Sequence, residues 1–538
     1  MKYSASPESD RDTISDLFRR LEQLNDIGAS LSVERNIDLL LEKILLAAKD
    51  ITQADGGTLY QLAEDARRLH FKIVRTDSLG IAFGGVGGEP IPDSFSDLPL
   101  FTPDGLPNES MVAAYAAITG KTVNIADAYA AEGFDFSGTR RFDERTGYHS
   151  QSFLTVPMKN HEGEIIGVLQ LINAIDQSTG QVTVFSPADQ RLAESLASQA
   201  AIALTNRQLI EQLETLFESL IQVINLAIDE KSPHTGGHCQ RVPALTMMLA
   251  DAVDAIEEGP LAGFKLSEKD RYELRIAALM HDCGKVTTPV HVVDKATKLQ
   301  TIFDRIHLLD TRFEVLRRDA EVRKWQAIAA GTPAAEAEQQ YAEFCGQLDV
   351  DRNFLRKANI GGERMRDEDI ERIRQIAAAY RWCNPAGEEV PCLDDDEILN
   401  LTIRAGTLTS AEREIINHHI VATIRMLEQL PWPKHLQNVP EYAGGHHERM
   451  DGKGYPKGLK REQMSWQARM MGIADIFEAL TAKDRPYKEA MKLSQALSIM
   501  ENFRQNGHID PDLFDVFLRQ GVYRRYGEAF LSEGQVDC

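Results

Sequence analysis

Residues 446–456 read HHERMDGKGYP, which joins a histidine pair and a glutamate to an Asp-Gly-x-Gly-Tyr-Pro turn. Upstream lies His281-Asp282-Cys283-Gly284-Lys285, and Asp475 follows downstream after an apolar stretch. Adjacent His-Asp and His-His pairs on packed helices suit a site for more than one transition metal, because imidazole with carboxylate favours iron, manganese, zinc or nickel over magnesium alone. Two metals that share a water can form a hydroxide and hold a phosphodiester for in-line attack. We therefore expect the C-terminal half to be built around such a site.

Size and composition limit the other possibilities. A chain of 538 residues is too long for one core and predicts about two to four domains. Its 43% hydrophobic and 26% charged residues describe an ordinary soluble protein, and no apolar run is long enough to predict a membrane span. A net charge of -23 disfavours nucleic-acid polymers and anionic membranes as partners, although the locally basic stretch 449–492 could still hold a small anion. The six scattered cysteines form no C-x-x-C pair, so we expect no disulfide framework, no zinc ribbon and a reducing cytoplasm as the location.

The N-terminal part predicts an α+β module. Residues 1–13 are polar and predict a flexible N-terminus, while residues 14–186 predict one folded domain. The expected elements are amphipathic helices at 14–28 and 36–48, strands at 58–62 and 69–74, a helix at 110–119, and a β-hairpin of 152–158 with 164–173. The stretch 80–104 is rich in glycine and proline and predicts a loop.

Residues 187–228 predict one long connecting helix. A seam with spacings of three and four, typical of a coiled coil, runs through Ile202, Asn206, Leu209, Leu213, Leu216, Leu220, Val223 and Ala227. Asn206 at a core position would fix the register of a parallel homodimer. The alternative is a helix that packs only on its own domain.

Residues 229–530 predict an almost entirely helical domain, followed by a short tail at 531–538. Within it, residues 299–403 are rich in Ala, Arg and Glu and are broken at Gly331-Thr332-Pro333, which predicts an inserted helical hairpin. The insertion could form a lid, a partner surface or a dimer element, or it could be a tolerated surface addition.

Each candidate metal ligand is a weak signal when taken alone, because a lone buried histidine is more often a hydrogen-bonded core residue. The glycines at 236–237 predict a turn, so that His238 would reach the site from the start of a helix. The sequence Thr409-Ser410-Ala411-Glu412 predicts the start of the helix that carries His419. The set as a whole favours a metal site.

The C-terminal half resembles an HD-GYP domain, a branch of the HD phosphohydrolase superfamily, over about 215–300 and 405–500. The matching motifs are Thr235-x-x-His238-x-x-Arg241-Val242, His281-Asp282-x-x-Lys285, Leu408-Thr409 leading to His419, His446-His447-Glu448-x-x-Asp451-Gly452-x-Gly454-Tyr455-Pro456, Ala474-Asp475, Ala479-Leu480-Thr481 and Asp484-Arg485-Pro486-Tyr487-Lys488. The resemblance implies a metal-dependent phosphodiesterase that hydrolyses the bacterial messenger cyclic di-GMP to pGpG or on to GMP.

The resemblance also implies a role for individual residues. Two or three divalent metals, with iron or manganese the usual ones, would be held by His238, His281, Asp282, His419, His446, His447 and Asp475. Asp282 and Lys285 would be catalytic, with Asp282 bridging the metals and Lys285 stabilising charge at the scissile phosphate. The expected substrate contacts are Lys285, Asp451, Gly452, Tyr455, Pro456, Arg485 and Lys488. Some family members have a glutamate where this chain has His234, so His234 would either ligate a third metal or leave a site for two.

Residues from about 15 to 205 resemble a GAF domain. The motifs are Gly120-Lys121-x-x-Asn124-Ile125-x-Asp127, Phe142-Asp143-Glu144-x-Thr146-Gly147-Tyr148 and the hairpin from Phe153 to Leu171. The resemblance leaves the ligand unknown. A cyclic nucleotide and a ligand-free dimerisation role both stay open, and a bilin is not expected because no cysteine precedes Cys239.

Together these features favour a cyclic di-GMP phosphodiesterase regulated by an N-terminal GAF sensor through the connecting helix. One alternative is a receptor that holds cyclic di-GMP, or a protein partner, without turnover. The other is a phosphodiesterase for another cyclic dinucleotide, since no base-reading contact is recognisable in the sequence.

Overall fold

The computed structural model describes residues 19–20, 22–30, 34, 36–63, 65–93, 95–231, 237–362, 364–482 and 490–538. The predicted flexible N-terminus and the candidate residues His234, Arg485 and Lys488 lie outside these ranges. The chain divides into two compact units, Met1–Phe217 and Glu218–Cys538, which are considered separately below. No helix within the described ranges is both long and apolar enough to cross a membrane.

The first unit is built on an antiparallel sheet. Its strands are Ala54–Leu62 (β1), Arg68–Thr76 (β2), Ile81–Gly84 (β3), Leu98–Pro99 (β4), Val123–Ile125 (β5), Phe153–Lys159 (β6), Ile165–Ile175 (β7) and Val182–Thr183 (β8). Their order is β3-β2-β1-β7-β6-β5, with β4 beside β2 and β8 beside β7. The predicted strands and the β6–β7 hairpin are confirmed. The prediction of an unbroken loop over 80–104 is wrong, because β3 and β4 both pair with β2 there.

Helices cover both faces of this sheet, which confirms the α+β prediction. They are Ile37–Thr52 (α1), Val112–Thr119 (α2), Ser137–Thr146 (α3) and the first part of Pro187–Lys231 (α4). On one face, Leu45 of α1 and Leu196 of α4 share a buried core with Leu59 and Leu171 of the sheet. On the other face, the alanines of α2 pack against Tyr60 and Val168.

The long connecting helix is confirmed as a single element, because α4 has 45 residues. The solvent exposure of its side chains differs from one helical face to another. Every position of the predicted seam is exposed in the single chain, including Leu213 at 63% and Leu216 at 65%. A second face, formed by Ile221, Asn225 and Ile228, is buried. The seam residues are therefore exposed in the single chain, and the dimer that they predict stays a prediction.

The second unit is mainly helical. After α4 its helices are His238–Asp254 (α5), Glu268–Met280 (α6), Val290–Val293 (α7), Ile306–Ala329 (α8), Ala334–Asn359 (α9), Asp367–Ala379 (α10), Asp395–Leu401 (α11), Ser410–Leu427 (α12), Val439–Gly444 (α13), Trp466–Thr481 (α14), Leu493–Gln505 (α15), Pro511–Arg519 (α16) and Val522–Phe530 (α17). Short 3-10 turns occupy Cys283–Thr287 and Arg461–Gln463. The unit also contains a small antiparallel pair of strands, Arg381–Cys383 (β9) with Glu389–Pro391 (β10). The prediction of an almost entirely helical domain did not include these strands.

The predicted insertion contains the expected helical hairpin. Helices α8 and α9 pack along each other around Phe313, Leu348 and Leu355. Arg356 of α9 forms an ion pair with Asp310 of α8 across the hairpin. Because the same core includes Leu299 and Leu401 at the two ends of the insertion, this segment is packed as a small subdomain rather than a loose loop.

Local sequence signals fix the starts of the helices that matter for the site. Gly237, with a φ of 84°, is the residue before α5, and His238 is the first residue of that helix. Thr409 and Glu412 form a capping box at the start of α12, as predicted. Ser465 caps α14 by accepting a hydrogen bond from the Ala468 N–H.

Candidate metal centre

Five elements of the second unit bring the predicted ligands together. His238 begins α5, His281 and Asp282 follow α6, His419 lies within α12, His446 and His447 follow α13, and Asp475 lies within α14. Four of the five histidines are buried, and His447 and Asp475 keep partly exposed side chains, at 24% and 13%. The site therefore has a buried floor and one accessible side.

The first group of ligand atoms, here called cluster one, comprises His238, His281 and Asp282. Asp282 Oδ2 lies 3.1 Å from His238 Nε2 and 3.3 Å from His281 Nε2. Asp475 Oδ1 lies 3.3 Å from His238 Nε2 and extends this cluster. Two imidazoles and two carboxylates at this spacing form a suitable donor set for a transition metal.

The second group, cluster two, comprises His419, His446 and His447. Asp282 Oδ1, the oxygen that does not face cluster one, lies 3.2 Å from His419 Nε2. Asp475 Oδ2 lies 3.9 Å from His447 Nδ1. Asp282 thus directs one oxygen to each cluster, so its carboxylate would contact a metal held in either one.

The second ring nitrogen of each buried histidine has a partner that fixes the ring. The Nδ1–H groups of His281, His419 and His446 donate to the backbone oxygens of Ala278, Ile416 and Ala443, at 2.7, 2.5 and 2.7 Å. In each case the acceptor is three residues earlier in the chain. This bond leaves Nε2 as the unprotonated nitrogen that a metal requires.

The hydrogen-bond balance of the site fits bound metal. Within the described ranges, Asp282 Oδ1, His419 Nε2 and His446 Nε2 are fully buried and have no hydrogen-bond partner. Buried polar atoms without partners are costly, and all three point into the two clusters. A metal ion in each cluster would satisfy them.

The electrostatics of the site differ between its ligands. Burial would lower the pKa of His238, but Glu478 and Asp282 outweigh it and hold that pKa well above its ordinary value. Burial would raise the pKa of Asp282, but Lys285 and His281 outweigh it and hold that pKa well below its usual range. Burial holds the pKa of His446 well below its ordinary value and lowers the pKa of His447 to about 4. The carboxylate is therefore charged and these imidazoles are neutral near pH 7.

Lys285 lies on the 3-10 turn that follows the His-Asp pair. Its Nζ is 2.5 Å from Asp282 Oδ2 and its side chain is 20% exposed. The turn is anchored to α12, because the Gly284 N–H donates to Thr423 Oγ1 at 2.9 Å. Lys285 is thus the cation placed at the edge of the site by a rigid turn.

The Gly-Tyr-Pro loop lies directly beside cluster two. The Tyr455 ring stacks on His447 with centroids 4.9 Å apart, and the Tyr455–Pro456 bond is cis. Gly452 has a φ of 78°, and a Cβ on Gly454 would lie 2.4 Å from the Arg449 nitrogen. Both glycines are therefore required by the backbone, one for its angle and the other for close packing.

The carboxylates around this loop have structural partners. Asp451 accepts hydrogen bonds from the Arg449 guanidinium and from the Lys453 N–H. Glu448, which is buried, accepts from the N–H groups of Lys457 and Leu459 at 2.7 and 2.8 Å. These bonds fix the loop, and the predicted substrate contacts of Asp451, Gly452, Tyr455 and Pro456 stay predictions.

Sequence reasoning missed Glu478. This buried carboxylate accepts from His238 Nδ1 at 2.6 Å and from Arg241 at 2.7 Å. It follows Asp475 by three positions and so shares its helical face. A second acidic residue on the inward face of an otherwise apolar helix was the signal that could have identified it.

In the first unit, the carboxylate of the Phe142-Asp143-Glu144 motif is used internally. Asp143 is buried and accepts from Ser150 Oγ and Tyr129 Oη at 2.7 and 2.8 Å. These bonds tie α3 to the loop segments on either side of it. The ligand of this unit is not identified by these contacts.

Family models match both units of the chain. The GAF domain model matches residues 36–204, and two HD domain models match residues 235–342 and 395–513. The gap between the HD matches lies within the predicted insertion.

Among characterised proteins, a cyclic di-GMP phosphodiesterase of Pseudomonas aeruginosa is 39% identical over 129 residues, which are 24% of this chain and 29% of the relative. The 3'3'-cGAMP-specific phosphodiesterase 1 of Vibrio cholerae is 34% identical over 142 residues, which are 26% of this chain and 31% of the relative. The matches thus span less than a third of these relatives. A solved GAF domain from an Acinetobacter phosphoenolpyruvate-protein phosphotransferase is 16% identical, covers 36% of this chain and 98% of that one, and has a TM-score of 0.25. The chain therefore carries a GAF domain at 36–204, followed by HD domain matches at 235–342 and 395–513.

Proposed function

We propose that this protein is a metal-dependent phosphodiesterase that hydrolyses cyclic di-GMP to pGpG, to GMP or to both. The observation that carries the proposal is the pair of ligand clusters joined by Asp282, with Lys285 beside them. The relative from Pseudomonas aeruginosa supports the choice of substrate.

The candidate ligands would bind two metals, and other groups would hold the ligand rings in place. His238, His281 and Asp475 would hold one metal, His419, His446 and His447 a second, and Asp282 would bridge them. Iron or manganese is the expected metal, and bound metal would supply an activated water and positive charge at the phosphate. The main-chain carbonyls and Glu478 keep the histidine rings oriented, so that the ligand geometry exists before substrate arrives.

The remaining side chains act on the substrate. Lys285 would donate to a phosphate oxygen and stabilise charge that develops there. Tyr455, stacked on His447, would form one wall beside the bound nucleotide. Arg485 and Lys488 stay candidates for further phosphate contacts, since Arg offers a bidentate fork and Lys a point charge.

A mixed cyclic dinucleotide is the second candidate substrate. The observation that favours it is the similarity to 3'3'-cGAMP-specific phosphodiesterases of Vibrio cholerae, at 34% and 41% identity. Both substrates contain the same pair of phosphodiester bonds, so the metal site would serve either one. Base recognition would decide between them.

The N-terminal domain would regulate turnover as a small-molecule sensor, with a cyclic nucleotide as one candidate ligand. The exposed seam of α4 supports a parallel homodimer, because a row of leucines on one helical face is stabilised when a second copy buries it. If a ligand displaced this helix, the movement would be transmitted to the metal-binding domain, because the helix is continuous with it.

Turnover of the full-length protein, purified without oxygen, tests this function. Cyclic di-GMP and 3'3'-cGAMP are supplied separately, products are separated by chromatography, and metal is measured on the same sample. We expect release of pGpG or GMP, with about two metals per chain. Fully metallated protein that binds cyclic di-GMP but releases no product, with or without cyclic nucleotides at the sensor, would contradict the proposal and favour a receptor.

A further inference from the structure

The last turns of α4 are packed within the second unit through one face. Ile221, Asn225 and Ile228 recur at spacings of four and three and are 1%, 9% and 2% exposed. On the same helix, Glu218 Oε2 lies 3.3 Å from Arg275 Nη2 of α6 and forms an ion pair with it. Because α6 leads directly into the His-Asp ligand pair, the end of the connecting helix is held against the segment that supplies cluster one.

Lys231 is the last residue of α4 and follows Ile228 by three positions, so it continues the buried face. Its Nζ donates hydrogen bonds to the backbone oxygens of Lys285, at 3.3 Å, and of Val286. These carbonyls lie in the 3-10 turn Cys283–Thr287. The carbonyl oxygens at the end of a helical turn carry partial negative charge, so the positive charge of Lys231 stabilises this contact.

The turn held by Lys231 is the one that positions the Lys285 ammonium. Backbone bonds within it run from the Lys285 N–H to Asp282 O, at 2.9 Å, and from the Thr288 N–H to Lys285 O, at 3.1 Å. A shift of the Lys285 carbonyl therefore moves both the catalytic side chain and the backbone next to the bridging carboxylate. Lys231 itself bonds to main-chain oxygens of the turn and not to a metal ligand.

We propose that Lys231 is a positioning residue through which the connecting helix sets the location of Lys285. The inference rests on the proposed function, since Lys285 acts only if a phosphate is the reactant. It adds a specific contact to regulation along the helix. A rotation or translation of α4 would move Lys231, and would therefore displace the turn that carries Lys285 or break its hydrogen bonds to Lys231.

The test compares three variants of the full-length protein. Lys231→Met keeps the length of the side chain and removes its hydrogen bonds, Lys231→Arg keeps a cationic donor, and Lys269→Met removes an exposed lysine from the start of α6. We expect Lys231→Met to lower kcat for cyclic di-GMP by about 10-fold, because small misplacement of a catalytic group is costly. KM and metal content should be unchanged, Lys231→Arg should recover most of the loss, and Lys269→Met should behave as wild type.

Amide hydrogen exchange gives a second readout that does not depend on turnover. The amides of residues 283–288 should exchange faster in Lys231→Met than in wild type or Lys269→Met. Unchanged exchange there, an equal loss of kcat in Lys269→Met, or loss of metal from Lys231→Met would overturn the inference. If wild-type protein cleaves no cyclic dinucleotide, the proposed function fails, whereas the exchange result still decides whether Lys231 holds the turn.

Discussion

At the scale of single residues, Glu478 is a buried side chain that should affect metal binding through its contact with His238. It is buried, and it orients His238 from the side opposite the clusters. We expect Glu478→Gln, which keeps an acceptor but removes the charge, to weaken metal binding by about 10- to 100-fold. The measurement is the metal retained after dialysis against a metal buffer, with exposed Glu462→Gln as the matched control. Full retention by Glu478→Gln would show that the ring is fixed without this carboxylate.

The candidate ligands that the structure brings together could be predicted from the sequence, because adjacent pairs such as His281-Asp282 and His446-His447 stand in recognisable motifs. The groups that orient them could not. The acceptors for His281 and His446 are main-chain oxygens, which carry no sequence signal. Glu448 stood within a motif, but its bonds to two backbone N–H groups depend on how the following loop folds back.

At the scale of elements, the exposed face of α4 should control association. Leu213 and Leu220 are 63% and 55% exposed in the single chain. We expect Leu213→Glu with Leu220→Glu to shift the protein from dimer to monomer, because the dimer would have to bury these charges. Sedimentation or light scattering measures the change, and Gln212→Glu, which adds a charge away from the seam, should remain dimeric. A wild-type protein that is monomeric at all concentrations would refute the seam.

The insertion carries a pH-sensitive anchor at Lys298. Burial lowers the pKa of this lysine from 10.5 to about 8, and its Nζ donates to the backbone oxygens of Leu401 and Ile403. The unfolded chain therefore holds more protons than the folded chain between these two pH values, and the free energy of unfolding should rise with pH across that window. A neutral amine still has two N–H groups for the two carbonyls, so deprotonation breaks neither bond.

The expected gain from Lys298 is at most about 3 kcal/mol between pH 8 and 10.5. Denaturant unfolding of wild type and Lys298→Met across this range isolates it, since other titrating groups are common to both proteins. Exposed Lys357→Met on α9 is the control and should follow wild type. A constant difference between wild type and Lys298→Met at all pH values would contradict the depressed pKa.

The long, periodic elements were predictable, and the short ones were not. Helix α4 and the β6–β7 hairpin contain enough turns or alternations to show their period. Strands β3 and β4 have four and two residues, and β9 and β10 have three each. Runs of that length have no detectable alternation, and their pairing with distant segments decides their structure.

At the scale of the whole molecule, the chain joins a GAF domain to an HD domain through one continuous helix. The two HD domain matches leave residues 343–394 between them, and the predicted insertion that contains this gap has a packed core of its own. With a net charge of -23, the proposed anionic dinucleotide would approach against the electrostatic field of the whole protein, so the positive charge of Lys285 and its basic neighbours would be needed to attract it.

The central claim is that the His-Asp pair holds metal while Lys285 acts on the substrate. Metal content and cyclic di-GMP turnover measured together on His281→Ala/Asp282→Ala and on Lys285→Ala test it most directly. We expect the double variant to lose both metal and turnover, and Lys285→Ala to keep its metal and lose turnover by about 100-fold or more. A double variant that retained both metal and turnover would contradict the assignment of the site.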